Sequence, residues 1–364
     1  MTSDNQKSTP SRRRLLKWLG ALGLVGAGGG IAFGRERNAY YNGPVSDHFD
    51  GVKFFNPGGR GPKGLGTFLK WTFATRAEPW PEHFASPHRD TPPARVDTGV
   101  RVTYIGHASF LVQTMGRNIL IDPVFADRAS PVRFAGPHRV NAPGIAFDDL
   151  PKIDTVLVTH NHYDHMDTRT LKNLWQRNQP RIITPLGNDT ILASAIDGLH
   201  ATAVDWGATI DLGGGMKIHC VPTQHWSARG AMDRMHALWA SFVIETGTHT
   251  IYAIGDTGFG DGSTFSAVAK RFPVIDLALL PIGAYEPRFM MADQHMNPEE
   301  AVIALELCGA KAALGHHWGT FKLTNEGIER PREHLALALA SKAIPRDRFV
   351  AAQPGLVRVI GSSA

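Results

Sequence analysis

The stretch Leu157-Val158-Thr159-His160-Asn161-His162-Tyr163-Asp164-His165 decides how this chain is read. Its apolar, β-branched beginning predicts a buried strand over Thr155–Thr159. Four side chains able to hold a metal follow at once, spaced H-x-H-x-D-H. In extended backbone His160 and His162 point the same way and can grip one ion. Asp164 and His165 come where the chain must turn, so they can face a second ion beside the first. Imidazole nitrogen and carboxylate oxygen are what zinc takes where no thiolate is offered. With 17 histidines but only Cys220 and Cys308, the chain can build neither a cysteine-rich zinc site nor a disulfide framework. A histidine-rich surface loop is the bland alternative, and four ligand types directly after a buried strand argue against it.

A two-metal site needs further ligands, and three downstream segments offer them in the same setting. Strand Met216–Val221 leads into Pro222-Thr223-Gln224-His225-Trp226, strand Thr250–Ile254 into Gly255-Asp256-Thr257, and strand Ala312–Leu314 into Gly315-His316-His317-Trp318. Each sets an acid or imidazole just past the carboxyl end of a strand, where sites on mixed α/β sheets collect. On chemistry alone His316 and His317 are equal candidates, because neighbouring residues of a strand end point apart.

Around these segments, Arg101–Ile105, Phe110–Thr114 and Asn118–Ile121 read as short strands in hairpins. Thr168–Asn178 and Asn188–Ile196 read as helices flanking a strand at Arg181–Thr184. Leu238–Glu245 and Ile275–Leu280 add strands, and Gly213-Gly214-Gly215 reads as a hairpin turn rather than a phosphate loop. A helix is well signalled after Asn297, with Pro298 in its first turn and Glu300 closing a capping box. Meandering strands followed by strands alternating with helices predict an α/β (α+β) fold of mixed sheets covered by helices.

The charge sum invites a nucleic-acid reading that its distribution removes. Lys and Arg total 38 against 33 Asp and Glu, but residues 1–37 hold seven basic and two acidic residues, which leaves 31 of each sign in the rest. A neutral body gives no long-range electrostatic grip on nucleic acid or on an anionic membrane. The ordinary composition, 43% hydrophobic and 20% charged, excludes a disordered or polytopic membrane protein. Residues 1–37 read as an export address. Ser11-Arg12-Arg13-Arg14-Leu15-Leu16-Lys17 resembles a twin-arginine signal and precedes sixteen uncharged, glycine-rich residues, short of the ~20 that span a bilayer comfortably. The predicted location is periplasmic, with a retained anchor on the periplasmic face of the inner membrane left open. Residues 38–99 read as an irregular arm with eight of the 24 prolines and ten of the 32 aromatic residues, wrapped over a catalytic domain at 100–364. Its aromatic side chains are predicted to fill surface grooves; the sharper alternative is an acyl-chain or membrane-contact surface.

The ligand set resembles the metallo-β-lactamase superfamily, and longer strings narrow the likeness: Gly106-His107-Ala108, Ile121-Asp122-Pro123, Asn161–Asp167, Gln224-His225-Trp226, Gly255–Gly258, Pro281–Arg288 and His317-Trp318-Gly319-Thr320-Phe321. Together they are similar to the N-acylphosphatidylethanolamine-hydrolysing phospholipase D family and its bacterial relatives, from about Val100 into the last forty residues. The resemblance implies a four-layer αβ/βα sandwich of two mixed β-sheets flanked by helices, holding two Zn²⁺ ions per chain. His160, His162 and His225 would hold one ion and Asp164, His165 and His317 the other, with Asp256 bridging. The likeness selects His317 over His316, which becomes a surface or ligand-orienting residue. Asp122 and His107, and less directly Asp167 and Tyr163, would orient ligands. His295 matches a family position near the substrate and is the candidate general acid, so Asp164, Asp256 and His295 carry the catalytic expectation.

The implied activity is phosphodiester hydrolysis of phospholipase D type on an N-acylphosphatidylethanolamine-like lipid or another amphiphilic phosphodiester, by hydroxide generated between the metals. Phosphatidic acid and an N-acylethanolamine would be the products. Two other readings fit the same ligands: a lactonase or β-lactamase, and a membrane-tethered protein with a structural metal. An apolar groove beside the metals would favour a lipid substrate, and a small polar pocket a lactone. Any membrane association rests with the anchor or an apolar surface. The sequence leaves the oligomeric state open, a homodimer included.

Overall fold

Two seven-stranded sheets face each other across an apolar interior. The computed structural model describes residues 37–59 and 63–361. The segment read as an export signal or anchor lies outside the described residues up to position 36. No helix among the described residues is long and apolar enough to cross a membrane.

Strands β1 (Val100–Gly106), β2 (Ser109–Thr114) and β3 (Arg117–Ile121) form antiparallel hairpins. β4 (Thr155–Leu157), β5 (Arg181–Pro185) and β6 (Thr202–Val204) then add in parallel. The second sheet repeats this plan. β7 (Thr209–Gly213), β8 (Met216–Val221), β9 (Ser241–Glu245) and β10 (Thr250–Ala253) are antiparallel neighbours. β11 (Ile275–Pro281), β12 (Ala310–His316) and β13 (Phe349–Ala351) follow in parallel. β14 (Val357–Ile360) returns to the first sheet against β1.

The period of two along each strand sorts side chains between layers. In the first sheet Val102, Tyr104, Val112, Ile119 and Leu157 face the second sheet and meet Ile218, Phe242, Ile244, Leu277 and Leu314. Their neighbours Ile105, Leu111, Leu120, Val156 and Ile182 turn outward. There they are covered by α2 (Thr168–Asn178), through Leu171 and Leu174, and α3 (Asn188–Ala195), through Ile191 and Leu192. The second sheet's outer face is covered by α4 (Ser263–Arg271), α6 (Pro298–Cys308) and α7 (Arg330–Ser341), which contribute Phe265, Leu305 and Leu335. Each such side chain, once fully buried, contributes roughly 1.5–3 kcal/mol. The parallel strand β11 is buried along its whole length, as a strand covered on both faces must be. This is the predicted four-layer αβ/βα architecture of two mixed sheets between helices.

Several elements differ from the sequence reading. β4 ends at Leu157, not Thr159, because Thr159 turns its backbone N–H to the Asp122 carboxylate instead of a ladder partner. β9 begins at Ser241, three residues after the predicted start. The glycine triplet is the β7–β8 turn, as read. α6 carries the predicted capping box, with Asn297 and Glu300 each bonding the other's backbone N–H. The arm is not irregular throughout: it holds α1 (Leu65–Ala74). Before that helix, Phe49 and Phe54 are buried against Leu238 and Trp239, the predicted packing role. On α1 itself Leu69 and Phe73 are 44% and 59% exposed. Cys220 and Cys308 are both buried and free, and belong to different apolar clusters.

Candidate metal centre

Every residue proposed from sequence to bind metal stands just beyond the carboxyl end of a strand. His160, His162, Asp164 and His165 follow β4, His225 follows β8, Asp256 follows β10 and His317 follows β12. Two sheets with their strand ends at the same edge thus bring side chains up to 157 positions apart in sequence into one cluster. The backbone is locally strained to do this. His107 (φ 57°), Asp122 (φ 40°) and His317 (φ 64°) all adopt the left-handed conformation that L side chains avoid, a cost concentrated where three strands end. The strained turns brace one another, because His317 N–H donates to the His107 carbonyl at 2.7 Å. Gly283 makes room for this, since a Cβ there would come within 2.1 Å of the His317 carbonyl oxygen.

The donor atoms fall into two groups that share Asp256. In one, His162 Nδ1 lies 2.9 Å from His160 Nε2 and 3.2 Å from His225 Nε2, with Asp256 Oδ2 at 3.8 and 3.6 Å from those two Nε2 atoms. In the other, Asp164 Oδ2 lies 3.3 Å from His317 Nε2 and 3.7 Å from His165 Nε2. Asp256 reaches this group too, with Oδ1 at 3.1 Å from His317 Nε2 and Oδ2 at 3.2 Å from His165 Nε2. His295 Nδ1 is 4.0 Å from Asp256 Oδ2, so His295 borders both groups.

Surrounding residues fix which nitrogen of each ring faces inward. Thr159 Oγ1 donates to Asp122 Oδ2 at 2.6 Å and so accepts from His160 Nδ1 at 3.0 Å. His165 Nδ1 donates to Asp122 Oδ2 at 2.7 Å, and His225 Nδ1 to the Gln294 carbonyl at 3.0 Å. With a proton held on each Nδ1, the three Nε2 atoms face into the cluster, the usual arrangement behind histidine metal ligands. His107 Nε2 bonds Asp164 Oδ2 at 2.8 Å.

The electrostatics follow from burial. Desolvation, and then the neighbouring imidazoles, push His162 down to about 3, His225 to about 4 and His160 well below its ordinary value. Burial likewise pushes His295 well below the ordinary histidine range. Burial also opposes charge on His165 and His317, but Asp256 and Asp164 outweigh it, raising His317 to about 9 and His165 well above its ordinary value. Burial opposes ionisation of Asp164 and Asp256 too, yet the surrounding histidines hold both well below the carboxylate range. Asp122, Asp164 and Asp256 are buried carboxylates that pair with histidines and with no lysine or arginine among the described residues. Buried atoms Asp256 Oδ1, His165 Nε2 and His317 Nε2 lack hydrogen-bond partners. Converging lone pairs, concentrated negative charge and orphaned inward atoms are what a site for cations requires, so the donor set fits metal.

The other sequence-derived candidates separate clearly. His316 is not on the surface and does not turn its ring into the donor groups: it is buried and donates Nε2–H to the Ile254 carbonyl at 2.8 Å. Asp167 and Tyr163 do not reach the cluster's ligands. Asp167 caps α2 and bonds Ala126 N and Thr170 Oγ1, while the Tyr163 hydroxyl donates to the Arg229 carbonyl. Three contributors escaped sequence reading. Thr159 fixes the His160 ring. Asn56, from the arm, donates to the His225 carbonyl at 2.8 Å and accepts from Trp239 Nε1 at 3.0 Å. Arg229 donates to the Asn161 and Met166 carbonyls at 2.9 and 3.0 Å and so brackets the metal-site loop. Thr159 lies within the decisive string and could have been found there; Asn56 and Arg229 carry no local signal.

Comparison with known proteins agrees with this geometry. Residues 117–318 match the β-lactamase superfamily domain. The chain is 38% identical over 248 residues to N-acyl-phosphatidylethanolamine-hydrolyzing phospholipase D 1 of Caenorhabditis elegans, a match covering 66% of this chain and 69% of that protein. It is 28% identical over 253 residues to a metal-dependent hydrolase of Caldivirga maquilingensis, covering 69% and 94% of the two chains. The crystal structure of a possible metal-dependent hydrolase from Veillonella parvula superimposes with a TM-score of 0.56 at 16% identity, over 72% of this chain and all of that one, which shows the shared fold. The chain belongs to the metallo-β-lactamase superfamily and is a metal-dependent hydrolase of that family.

Proposed function

We propose that this chain is an exported, two-zinc phosphodiesterase of phospholipase D type, acting on an N-acylphosphatidylethanolamine-like lipid. The single observation that carries the metal assignment is Asp256, whose two carboxylate oxygens face both donor groups at once. His160, His162 and His225 would hold one ion, Asp164, His165 and His317 the other, and Asp256 both. When bound, such a pair lowers the pKa of water towards neutrality and stabilises charge on the oxygens of an in-line displacement at phosphorus.

The chain's own residues supply positioning and proton handling. Asp122 and Thr159 hold His165 and His160 in the tautomers that present Nε2. His107 orients Asp164. His295 we assign to the leaving oxygen, a role supported by its partnerless Nδ1 at the edge of the cluster: even as a neutral imidazole it keeps one N–H to donate there. A lipid substrate is supported by the similarity to the nematode enzyme and by exposed apolar residues on α1 beside α5 (Arg288–Met291), where Lys70 lies over the Phe289 ring. Export rests on the arginine-rich segment at residues 11–17.

A small polar ester or lactone is the second reading. It is favoured by the recess of about 490 Å³ beside Gln224 and Asp293, which is lined largely by polar groups. Metal content per chain, measured with a panel of N-acyl phospholipid vesicles, a simple phosphodiester, a lactone and a β-lactam, separates the two. The proposal expects about two metals per chain and chelator-sensitive phosphodiester cleavage. Lactone turnover with no phosphodiester cleavage would overturn it. Asp256→Asn tests the non-catalytic alternative: catalysis predicts a folded protein with activity down by orders of magnitude, and a purely structural metal predicts loss of stability first.

A further inference from the structure

Outside the metal cluster, a concentration of positive charge lies in a groove along the start of α2. A recess of about 150 Å³ is lined by Arg128, Arg169 and Arg229 together with Ser130 and Tyr163. It shares Ala126, Arg128, Asp167 and Arg169 with a second recess of about 370 Å³, which adds Arg133 and ends on Phe125 and Phe147. None of the four arginines makes an ion pair among the described residues. Arg128 spends one N–H on the Gly136 carbonyl, and Arg229 two on the metal-site loop. The Arg169 and Arg133 guanidinium groups make no hydrogen bond among the described residues.

This clustering runs against the neutral charge of the chain beyond residue 37. Four guanidinium groups against two carboxylates leave the groove net positive, a repulsion that a bound anion relieves. The only carboxylates lining the groove are Asp127 and Asp167. The Asp167 oxygens are engaged by Arg169 N, Ala126 N and Thr170 Oγ1, so its charge is used in capping α2. Guanidinium forks match tetrahedral oxyanions bidentately, and the smaller recess has room for one phosphoryl group. The aromatic end at Phe125 and Phe147, whose rings stand edge to face at 5.3 Å, suits an apolar substituent on that anion.

We propose that this arginine groove is an accessory binding site for a phosphoryl oxyanion, free or carried on an amphiphile, separate from the metal cluster. The site does not depend on the phosphodiesterase reading, since it uses none of the metal-binding side chains. Its link to them is Arg229, whose guanidinium lies over the Tyr163 ring at 4.0 Å while bonding the loop that carries His160–His165.

Inorganic phosphate and dioctanoyl phosphatidic acid are the probes, titrated calorimetrically against the full chain with its metals and again with excess chelator. Phosphate also binds exposed metal ions, so the groove is read as the binding that survives chelation. Arg128→Ala/Arg169→Ala removes two rim guanidiniums and leaves Arg229 to brace the loop; circular dichroism and metal content check that the fold and cluster persist. The proposal expects chelator-resistant binding that weakens about tenfold or more in the double variant and falls steeply with salt. Arg169→Lys should retain part of it. Tighter binding of phosphatidic acid than of phosphate, reduced in Phe147→Ala, identifies the amphiphile as the ligand; equal binding identifies the phosphoryl group alone, and both support the site. Phosphate binding that disappears with chelator, or that persists unchanged in the double variant, overturns it.

Discussion

Replacing Asp122 by asparagine tests whether the metal cluster depends on residues that touch no metal. The Asp122 carboxylate is fully buried and accepts three hydrogen bonds: Thr159 N to Oδ1 at 2.7 Å, Thr159 Oγ1 to Oδ2 at 2.6 Å and His165 Nδ1 to Oδ2 at 2.7 Å. Asparagine keeps an acceptor at one position only. With its oxygen at the Oδ2 position its amide nitrogen faces one donor, the Thr159 N–H; with its oxygen at the Thr159 N–H the nitrogen meets two donors. Each buried donor left unpaired costs about 1–3 kcal/mol, so the substitution costs about 1–6 kcal/mol. His165 can escape only by moving its proton to Nε2, the nitrogen 3.2 Å from Asp256 Oδ2. That escape removes a metal-binding lone pair, so relief of folding strain comes at the expense of metal affinity. The expected result is metal affinity down about 10–100-fold and a melting temperature of the chelated protein down by about 2–12 °C, at about 2 °C per kcal/mol for a chain this long. Metal titration with a competing chelator and thermal melts with and without metal measure the two effects. Wild-type affinity together with an unchanged melting temperature would refute the tautomer argument.

Three further outcomes follow from the same geometry. Gly283→Ala forces a Cβ into the space 2.1 Å from the His317 carbonyl oxygen, so His317 and its strained turn must shift; hydrolysis should fall about tenfold or more and stability by about 1–3 kcal/mol, read from steady-state rates and urea unfolding. His316→Ala should cost about 1–3 kcal/mol through the orphaned Ile254 carbonyl yet keep its metal, whereas His317→Ala should lose metal, with elemental analysis of both proteins as the check. Asp90 governs acid stability on the far side of β1. Burial opposes its ionisation, but the Arg101 guanidinium at 2.6 and 2.8 Å and the Thr103 hydroxyl at 2.7 Å hold its carboxyl below the ordinary 3.8. A lowered folded pKa contributes stability that is present above the unfolded value and lost as pH falls through the folded one. Asp90→Asn should therefore unfold at lower urea than wild type at pH 7, with the gap closing at the acid end of a pH series; a gap independent of pH would rule out this linkage.

The legible parts of this protein were those whose information is local. The H-x-H-x-D-H string, the glycine triplet of the β7–β8 turn and the Asn297 capping box each involve residues within a few positions of one another, and backbone geometry alone relates them. Elements that exist because of distant partners were missed or misplaced. β14 has only half-buried and exposed residues and is held by its pairing with β1, more than 250 positions earlier. The β4 boundary was set by Asp122, which took the Thr159 N–H out of the ladder. α1 was hidden in a stretch whose prolines and glycines read as loop, and much of its apolar surface remains exposed.

The sequence by itself determined the kind of chemistry: which residue types gather after which strands, in a chain with too few cysteines for a cysteine-rich zinc site and no net charge beyond residue 37. Tertiary structure alone decided the arrangement. Strand geometry leaves His316 and His317 equal and the family likeness implies His317; the structure shows the cause, a left-handed turn after β12 that aims His317 into the cluster and leaves His316 bonded to Ile254. It also brought Asn56 to the His225 carbonyl, and Asp122 and Arg229 to the loop that carries His160–His165, from three remote segments. The reason is physical. Ligand identity depends on functional groups that a sequence spells out, whereas ring orientation, tautomer and electrostatic field depend on distances that exist only once the two sheets have packed and their strand ends share one edge.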